Sequence, residues 1–399
     1  MTTARTHQVR RRKVFYVPGF DPFPARRYRE LYRSEGAKQA KVSAYSLTLT
    51  GAGGTRWSVE AEIDGSNIHA DFEVLEWADI VRSSMNGSIP ATYAMMLRTS
   101  WVYLSSGALA RLMRLRKGPV IAALYPIAIL FAQLFVSLLA GWLIWRGASG
   151  FSPFAAAVLA VCAVWGLLRL FRLYDNRIFA YYLMHDYAYS ASLSGRTPAD
   201  MRERLASFEE RIGNAAKGDW DEILVVGHSS GAHLAVEVLS CLIRENRLPE
   251  EGAISFLSLG QVVPMVSFLP EAHDLRADLA LLSVQTRVPW IDVTAPGDGC
   301  AFALCDPVLV SGVAPPERRW PLVLSARFTQ TLSSERWREL RWRFFRLHFQ
   351  YLCAFDRPGD YDYFAITAGP KTLGDRFADR PASPSRIETP VNRYTSVAA

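Results

Sequence analysis

A long apolar stretch near the middle of the chain restricts its possible folds more than any other feature. Residues 118–168 contain a single charged residue, Arg146. Each half of the stretch is long enough to cross roughly 30 Å of hydrocarbon as a helix, and "RGASGFSP" supplies a connection between the halves. Soluble helices rarely stay apolar on every face over this length. The stretch therefore predicts a transmembrane helical hairpin, with a pair of buried helices in a soluble core as the alternative.

Basic residues flank the hairpin on both outer sides, while its connecting loop carries only Arg146. By the positive-inside rule, both flanks and the soluble parts attached to them face the cytoplasm. The net charge of +7 suits an anionic membrane surface better than nucleic acid, because the cations cluster beside the apolar stretch. A lipid bilayer is therefore the predicted partner, and no nucleic acid is expected. The flanking residues are Arg111, Arg114, Arg116, Lys117, Arg169, Arg172 and Arg177.

The soluble parts on either side of the hairpin read as two pieces of one α/β domain. Strand patterns alternate with helical patterns after the hairpin, which predicts a mainly parallel sheet with helices on both faces. The piece before the hairpin has too few strands to form a core alone. The N-terminus has basic residues but no apolar segment of signal-peptide length, so no cleaved leader is expected. The predicted divisions are a basic tail at 1–12, the first part of the domain at 13–117, the hairpin at 118–168, the second part at 169–368, and a flexible tail at 369–399.

The five cysteines are few, odd in number and mostly in apolar surroundings. This usage is typical of reduced thiols in the cytosol rather than of a disulfide framework. Cys300 and Cys305 form the closest pair, but no second pair or histidine cluster has zinc-like spacing. The sequence predicts neither a metal site nor a cofactor.

The segment "DEILVVGHSSGAHLAVEVL" at 221–239 joins an apolar strand to a helix through Gly227-His228-Ser229-Ser230-Gly231. On such a tight turn the Ser229 hydroxyl stands above the sheet edge, and the two glycines remove side chains that would clash. The helix N-terminus brings unpaired N–H groups, so the Ser230 amide is a candidate oxyanion donor. The pattern predicts a nucleophile elbow, and a glycine-rich turn with capping serines is the alternative.

With strand and helix on the correct sides of this pentapeptide, the sequence resembles the α/β-hydrolase superfamily, in particular serine esterases and lipases. The resemblance implies a triad in the chain order nucleophile, acid, histidine. His348 is the candidate base, because His273 precedes the region expected to hold the acid. Asp298 is the candidate acid, since it lies in the loop beyond the strand "WIDVTAP"; Asp292 and Asp306 are reserves.

His348 departs from the family pattern, because it lies in "SSERWRELRWRFFRLHFQYL", which reads as one helix, whereas such histidines usually lie on loops. A half-buried helical histidine is the alternative interpretation. The same segment combines an aromatic stripe with many arginines. That combination suits either an anionic bilayer surface or a core-facing helix with a solvated basic side.

The second oxyanion donor is expected after an early strand, where "VFYVPGFDP" offers the Phe20 amide. Similar hydrolases commonly have His-Gly here, and this chain has Pro18-Gly19; a plain β-turn is the alternative. Together these residues predict a membrane-anchored serine hydrolase that cleaves a lipid-like ester or thioester. A noncatalytic membrane scaffold and an acyltransferase with the same triad are the alternatives.

Overall fold

The computed structural model describes residues 8–249 and 254–397, in which eight strands form one sheet. Long runs of β-branched and aromatic residues form its central members, and every residue of the strand before the predicted elbow is buried. The strands are β1 (Arg11–Val17), β2 (Ser46–Gly53), β3 (Arg56–Ile63), β4 (Ser66–Val74), β5 (Glu222–His228), β6 (Ile254–Leu259), β7 (Trp290–Thr294) and β8 (Leu322–Ser325).

The strand order in space is β2-β3-β4-β1-β5-β6-β7-β8. The pairs β2/β3 and β3/β4 are antiparallel, and all other neighbours, from β4 to β8, run parallel. At the end of β1, Val17 is in register with Gly227 of β5. Strands from before and after the hairpin thus share one sheet, and the predicted α/β architecture with a mainly parallel sheet is confirmed.

Eighteen α-helices accompany the sheet in the described residues, and most of the longer ones show apolar spacing suited to packing on a neighbour. They are α1 (Arg26–Ser43), α2 (Ala78–Ser84), α3 (Ile89–Ser105), α4 (Ala108–Leu115), α5 (Lys117–Ala148), α6 (Pro153–Leu173), α7 (Asp175–Ile178), α8 (Ala180–Ala191), α9 (Ala199–Ala215), α10 (Gly231–Arg244), α11 (Val263–Ser267), α12 (His273–Ser283), α13 (Pro307–Val310), α14 (Phe328–Thr331), α15 (Ser334–Leu340), α16 (Phe344–His348), α17 (Tyr363–Ala368) and α18 (Leu373–Arg376).

The sheet carries a hydrophobic core on each face. Val14 and Tyr16 of β1 join the core that includes residues of α1 and α17. Phe15 and Val17 join the opposite core, with residues of α9, α10 and α12. This alternation follows from the two-residue period of a strand. It holds the ends of the central strands rigidly, which matters for the loops that follow them.

Helices α5 and α6 form the predicted hairpin and pack on each other. A Cβ at Gly141 would lie 2.6 Å from Val164 Cγ2 and 3.2 Å from the Ala160 carbonyl oxygen, so the two backbones approach closely there. Both helices are long and apolar enough to cross a membrane, with mean hydropathy of 2.3 and 2.2 in their most apolar windows. Only 22% and 11% of those windows are buried within the chain. Such exposure argues against the alternative of two buried core helices.

The two ends of the chain lie against the domain over their described residues. Residues 1–7 of the predicted basic tail lie outside the described residues, while Arg11 and Arg12 open β1. Arg12 is fully buried and pairs with Glu222 at 2.6 Å. Its guanidinium also donates to the carbonyls of Gly369 and Lys371. The segment 369–397, predicted as a flexible tail, contains α18 and buries Leu373 and Phe377.

The segment predicted as one helix around His348 is interrupted. Helix α15 ends at Leu340 and α16 begins at Phe344, with Arg343 outside helical geometry at φ −101° and ψ 67°. A 3₁₀ turn, Phe349–Leu352, follows α16. The prediction of a continuous helix was therefore wrong, and the interruption turns Phe344 and Phe345 towards other parts of the chain instead of along one stripe.

Candidate active site

The candidate site lies at the carboxyl ends of β1 and β5, which are neighbours in the sheet. The chain leaves β1 towards β2 on one side of the sheet, and it leaves β5 towards β6 on the other. Such a switch in direction opens a crevice between the two loops, where α/β sheets commonly bind ligands. The loops here are Pro18-Gly19-Phe20 and Ser229-Ser230.

Ser229 occupies a strained backbone position between β5 and α10. Its φ of 57° lies in the left-handed region that residues with a side chain rarely adopt. The Ser229 amide donates to the Leu259 carbonyl at 2.9 Å, which ties the turn to the end of β6. The serine side chain is half-buried. This strained turn, held by a hydrogen bond and two packed elements, places Ser229 at the carboxyl end of β5.

Close backbone packing explains the glycines on either side of Ser229. A Cβ at Gly231 would lie 2.1 Å from the Val17 carbonyl oxygen and 2.6 Å from that of Pro18. A Cβ at Gly227 would lie 2.7 Å from the Gly231 carbonyl oxygen. These distances are too short for any side chain, so the strand end and the start of α10 can approach only with glycine.

The two candidate oxyanion amides, of Phe20 and Ser230, lie on either side of Ser229. The loop containing Phe20 reaches the serine, since a Cβ at Gly19 would lie 2.9 Å from Ser229 Cβ. Neither amide donates to an acceptor within the described part of the chain. Ser230 directly precedes α10, whose N-terminus adds partial positive charge. Two free donors beside a serine hydroxyl can receive a developing negative charge.

The loop that contains Phe20 is fixed from three directions. Trp77 Nε1 donates to the Pro18 carbonyl at 2.9 Å, and the Tyr182 hydroxyl donates to the Phe20 carbonyl. The Phe20 ring packs edge-on against Trp77, with 5.8 Å between centroids, and is 6.0 Å from Tyr189. These contacts define where the Phe20 amide points.

His348 and Asp298, predicted from distant parts of the sequence, are hydrogen-bonded to each other. His348 Nδ1 lies 2.7 Å from Asp298 Oδ2. The same oxygen accepts from the Tyr351 hydroxyl at 3.0 Å, and Oδ1 accepts from the Cys300 amide at 2.9 Å. Both His348 and Asp298 are buried. The carboxylate is thus held by three donors and orients the imidazole.

The hydrogen bond to Asp298 determines the role of each His348 nitrogen. Since a carboxylate only accepts, Nδ1 carries the hydrogen and the neutral ring has its lone pair on Nε2. Nε2 is buried and has no hydrogen-bond partner in the described chain. The ring lies beside the elbow, because a Cβ at Gly260, next to the Leu259 carbonyl that Ser229 contacts, would be 3.0 Å from His348 Cε1. The ring of the candidate base therefore lies close to the loop after β6, to which the elbow is hydrogen-bonded, while Nε2 itself makes no hydrogen bond to Ser229.

His228, adjacent to Ser229, contacts His348 through its ring and through a hydrogen bond. The two rings lie 4.8 Å apart between centroids. His228 Nε2 donates to the His348 carbonyl oxygen at 3.0 Å. Burial, with the nearby positive charge of His348, lowers the pKa of His228 to about 3, so this ring stays neutral. His228 therefore holds the backbone of His348 without competing for its proton.

The charge on Asp298 is stabilised despite complete burial. Burial alone would raise its pKa, but the charge and hydrogen bond of His348, with the donors of Cys300 and Tyr351, hold the pKa below its ordinary value. The carboxylate is thus ionised under physiological conditions and can stabilise a positively charged His348.

The reserve acids and the second histidine lie elsewhere. Asp292, inside β7, accepts from the Ser258 hydroxyl at 2.5 Å, and burial raises its pKa to about 8. Asp306 caps α13 and pairs with Arg318 at 2.6 Å. His273 begins α12 and lies 3.7 Å from Asp274. Of the candidate acids, only Asp298 contacts His348.

A small cavity of about 30 Å³ has the candidate oxyanion residues Phe20 and Ser230 in its wall. Asp186 and Glu237 also line it. Burial raises the pKa of Asp186 to about 7, against the opposing positive charge of His348. Burial likewise raises the pKa of Glu237 to about 8, and Thr197 Oγ1 donates to this carboxyl at 2.7 Å. A cavity of this size admits only a water-sized group, and Ser229 and His348 are not among the residues that line it.

Sequence reasoning missed three of these residues. Tyr351 follows His348 by one helical turn, and that spacing could have identified it as a partner of the same carboxylate. His228 sits within the elbow pentapeptide itself, where only its neighbour Ser229 drew attention. Asp186 is an acid in the apolar-aromatic segment "AYYLMHDYAY", which offers a weak signal because an isolated carboxyl there needs an explanation.

One group of potential metal ligands occurs among the described residues, formed by Asp298, His348 and Cys300, whose ligand atoms lie within 4.8 Å of one another. Asp298 already accepts three hydrogen bonds, one of them from His348. Burial keeps the pKa of the Cys300 thiol well above its ordinary value. The hydrogen bonding of this group is that of an acid and base pair with a neutral thiol beside it.

Comparison of the chain with protein-family models, with curated proteins and with solved structures finds no match. What the site can do chemically therefore follows from its own geometry. A serine hydroxyl on a strained turn, a buried histidine oriented by a carboxylate and two free amides are the components needed for nucleophilic acyl transfer.

Proposed function

We propose that this protein is a membrane-anchored serine hydrolase of the α/β-hydrolase type, which cleaves a lipid-like ester or thioester. One observation carries the proposal. His348, buried and bonded through Nδ1 to Asp298, has a free Nε2 beside the elbow of Ser229. His185 and His233 also have a buried ring nitrogen without a partner among the described residues, and His348 differs from both by its hydrogen bond to a carboxylate.

The proposed reaction has two steps. His348 Nε2 takes the hydroxyl proton of Ser229 as the oxygen attacks the carbonyl carbon, and the amides of Phe20 and Ser230 stabilise the oxyanion. The imidazolium returns the proton to the leaving alcohol or thiol as its bond to the carbonyl carbon breaks. Water, deprotonated by the same nitrogen, then attacks the acyl-enzyme, and its proton restores the Ser229 hydroxyl as the carboxylic acid leaves.

Helices α5 and α6 support membrane anchoring. We propose that both cross the bilayer and that the sheet domain lies on the cytoplasmic side, because basic residues crowd the outer ends of the hairpin. A bilayer anchor at this place favours substrates that partition into lipid. The partners expected of the protein are therefore the bilayer and its ester-containing lipids.

The test is hydrolysis by the full-length protein in detergent, measured on a panel of short- and long-chain p-nitrophenyl esters and acyl thioesters. Ser229→Ala is expected to lower kcat by about 10³-fold or more, because the nucleophile is lost while the fold is kept. Ser34→Ala, which changes an exposed serine on α1, is the matched control and is expected to keep the wild-type rate. Equal rates for wild type and Ser229→Ala would reject the proposed nucleophile.

A further inference from the structure

An exposed aromatic and basic loop lies between α15 and α16. Trp342 is 72% exposed and Phe344 is 49% exposed. The guanidinium of Arg341 lies 5.7 Å from the centroid of the Trp342 ring. Trp is enriched at membrane–water interfaces, and the long side chain of Arg can extend to the headgroup layer. Residues 341–344 are called the interface loop below.

The charge of this region is positive. Arg343 and Arg346 both pair with Glu339, at 3.0 and 3.1 Å. Arg341 has no carboxylate partner among the described residues, and its side chain is exposed. Three arginines thus share one acid, which leaves positive charge available for anionic headgroups.

The interface loop adjoins the base of the hairpin. A Cβ at Gly118, in the first turn of α5, would lie 3.3 Å from Gly299 Cα, and one at Gly299 would lie 3.3 Å from Phe344 Cδ1. Phe345 packs on Phe179, with 5.1 Å between ring centroids. The residue before Phe179, Ile178, accepts through its carbonyl from the Tyr125 hydroxyl at 2.8 Å. The loop and the next residue, Phe345, are therefore connected to the α5 segment from Gly118 to Tyr125 through Gly299 and through residues 178–179.

The same contacts bring the loop next to the candidate triad. Gly299, which touches both Gly118 and Phe344, directly follows Asp298. His348 ends the short helix that Phe344 begins. The interface loop is thus adjacent to Gly299, which contacts the hairpin base, and to the segments that carry Asp298 and His348.

We propose that the interface loop inserts into the headgroup region of an anionic bilayer, and that lipid esters pass from the bilayer to Ser229 along it. The proposal rests on the proposed hydrolase function and names the substrate source for that site. The bilayer is the occupant that the position favours, because the loop continues a surface that already belongs to the hairpin. Its positive charge matches anionic lipid rather than a neutral surface.

The experiment uses full-length protein reconstituted in phosphatidylcholine vesicles with or without phosphatidylglycerol. Hydrolysis of a long-chain ester dissolved in the bilayer is compared with that of a short-chain ester in water. The double variant R341Q/W342A is expected to lower kcat/KM for the bilayer ester about five- to tenfold in vesicles with phosphatidylglycerol, since one cation and one interfacial aromatic are lost. Hydrolysis of the water-soluble ester is expected to stay unchanged.

A matched control is K41Q/V42A, which removes an exposed cation and an exposed apolar side chain at the end of α1. It is expected to change neither rate. An equal loss on both esters by R341Q/W342A, or no loss on either, would overturn the entry route. An equal loss of bilayer-ester hydrolysis by R341Q/W342A in vesicles without phosphatidylglycerol would also overturn it, because the charge of the lipid would then play no part.

A second measurement tests whether the loop enters the bilayer, and it does not depend on catalysis. Brominated lipids quench tryptophans that lie in the bilayer, so W342F is expected to show a smaller quenched fraction than wild type. Equal quenching of the two proteins would overturn insertion of the loop. If wild type hydrolyses neither ester, the proposed function fails, and the quenching difference still reports whether Trp342 contacts lipid.

Discussion

At the scale of single residues, the hydrogen bond between His348 and Asp298 distinguishes Asp298 from the reserve acid Asp292. Asp298→Asn is expected to lower kcat about 10³- to 10⁴-fold, because an amide at this position no longer selects the correct tautomer or stabilises the imidazolium. Asp292→Asn is expected to keep activity, since a carboxyl with a pKa of about 8 is neutral at pH 7 and resembles an amide. Steady-state hydrolysis checks both. A larger loss of activity in Asp292→Asn than in Asp298→Asn would instead identify Asp292, in β7, as the acid.

The ionisation of Asp186 is expected to make the stability of the folded protein depend on pH. Its folded-state pKa of about 7 lies above the value of about 4 for an unfolded aspartate, so the neutral acid favours the fold. This contribution is complete below pH 4 and is lost as the pH rises through about 7. Asp186→Asn is therefore expected to melt about 2–4 °C above wild type at pH 8 and at the same temperature at pH 4.

The measurement for Asp186 is thermal unfolding of the full-length protein in detergent at both pH values. Glu335→Gln is the control, because Glu335 is 77% exposed and its substitution removes the same type of charge at the surface. The control should shift the midpoint equally at the two pH values. A difference between pH 4 and pH 8 no larger for Asp186→Asn than for the control would contradict the effect of burial.

The sequence predicted the candidate triad but not the residues that support it. Ser229, Asp298 and His348 stand out because few residue types perform acyl transfer and their order along the chain is restrictive. His228 holds the base through a hydrogen bond across 120 residues, and Tyr351 holds the acid through one across 53 residues. Such contacts leave no local pattern. The support therefore became visible only in the folded chain.

At the scale of secondary structure elements, the predicted strands match because β-branched runs bounded by turns give a local signal. The interruption of the helix before His348 gives no such local signal, because Trp337, Leu340 and Phe344 keep helical spacing across the break. Packing of Phe344 on Gly299 and of Phe345 on Phe179 accompanies the break. Tertiary contacts therefore override a periodicity that favours a continuous helix.

The pairing of Arg12 with Glu222 joins the first strand to β5 and to the C-terminal segment. Arg12→Ala is expected to lower the free energy of unfolding by about 3–5 kcal/mol, because Glu222 is left buried and loses its cation. Arg11→Ala removes a pair whose side chains are 50% and 98% exposed, and is expected to cost about 1 kcal/mol or less. Denaturant unfolding in detergent measures both. Equal losses from these neighbouring arginines would show that burial of the pair has no role.

The elbow depends on the close approach of α10 to the loop after β1. Gly231→Ala is expected to abolish activity and to lower the yield of folded protein, because its Cβ would lie 2.1 Å from a backbone oxygen. Gly359→Ala is the control, since nothing lies within 4 Å of a Cβ there. Activity and yield of the two variants are compared with wild type. A folded and active Gly231→Ala protein would contradict the packing at the elbow.

At the scale of the whole molecule, the proposed orientation has the connection between α5 and α6 on the side of the bilayer opposite the sheet domain. A cysteine introduced by Ser149→Cys is expected to react with a membrane-impermeant maleimide in intact cells. Ser34→Cys, on α1, is expected to react only after permeabilisation. Wild type supplies the background from its native thiols. Reaction of both variants, or of Ser34→Cys alone, in intact cells would contradict the proposed orientation.

The proposed anchor and the candidate site meet in one place, since Gly118 of α5 touches Gly299 beside Asp298. The hairpin was predictable from composition alone, because charge-free stretches of this length have few other uses. Its contact with the loop that carries the acid was not, because residues 118 and 299 share no pattern in the sequence. The hairpin could thus be predicted from local composition, whereas its contact with the candidate site depends on loops that are distant in the sequence.

The most direct test of the account is covalent labelling of the full-length protein with a fluorophosphonate, followed by mass-spectrometric mapping of the modified residue. The account predicts one adduct, on Ser229, with labelling lost in Ser229→Ala and slowed about 10³-fold or more in Asp298→Asn. An adduct on another residue, or labelling of Ser229→Ala at the wild-type rate, would contradict it.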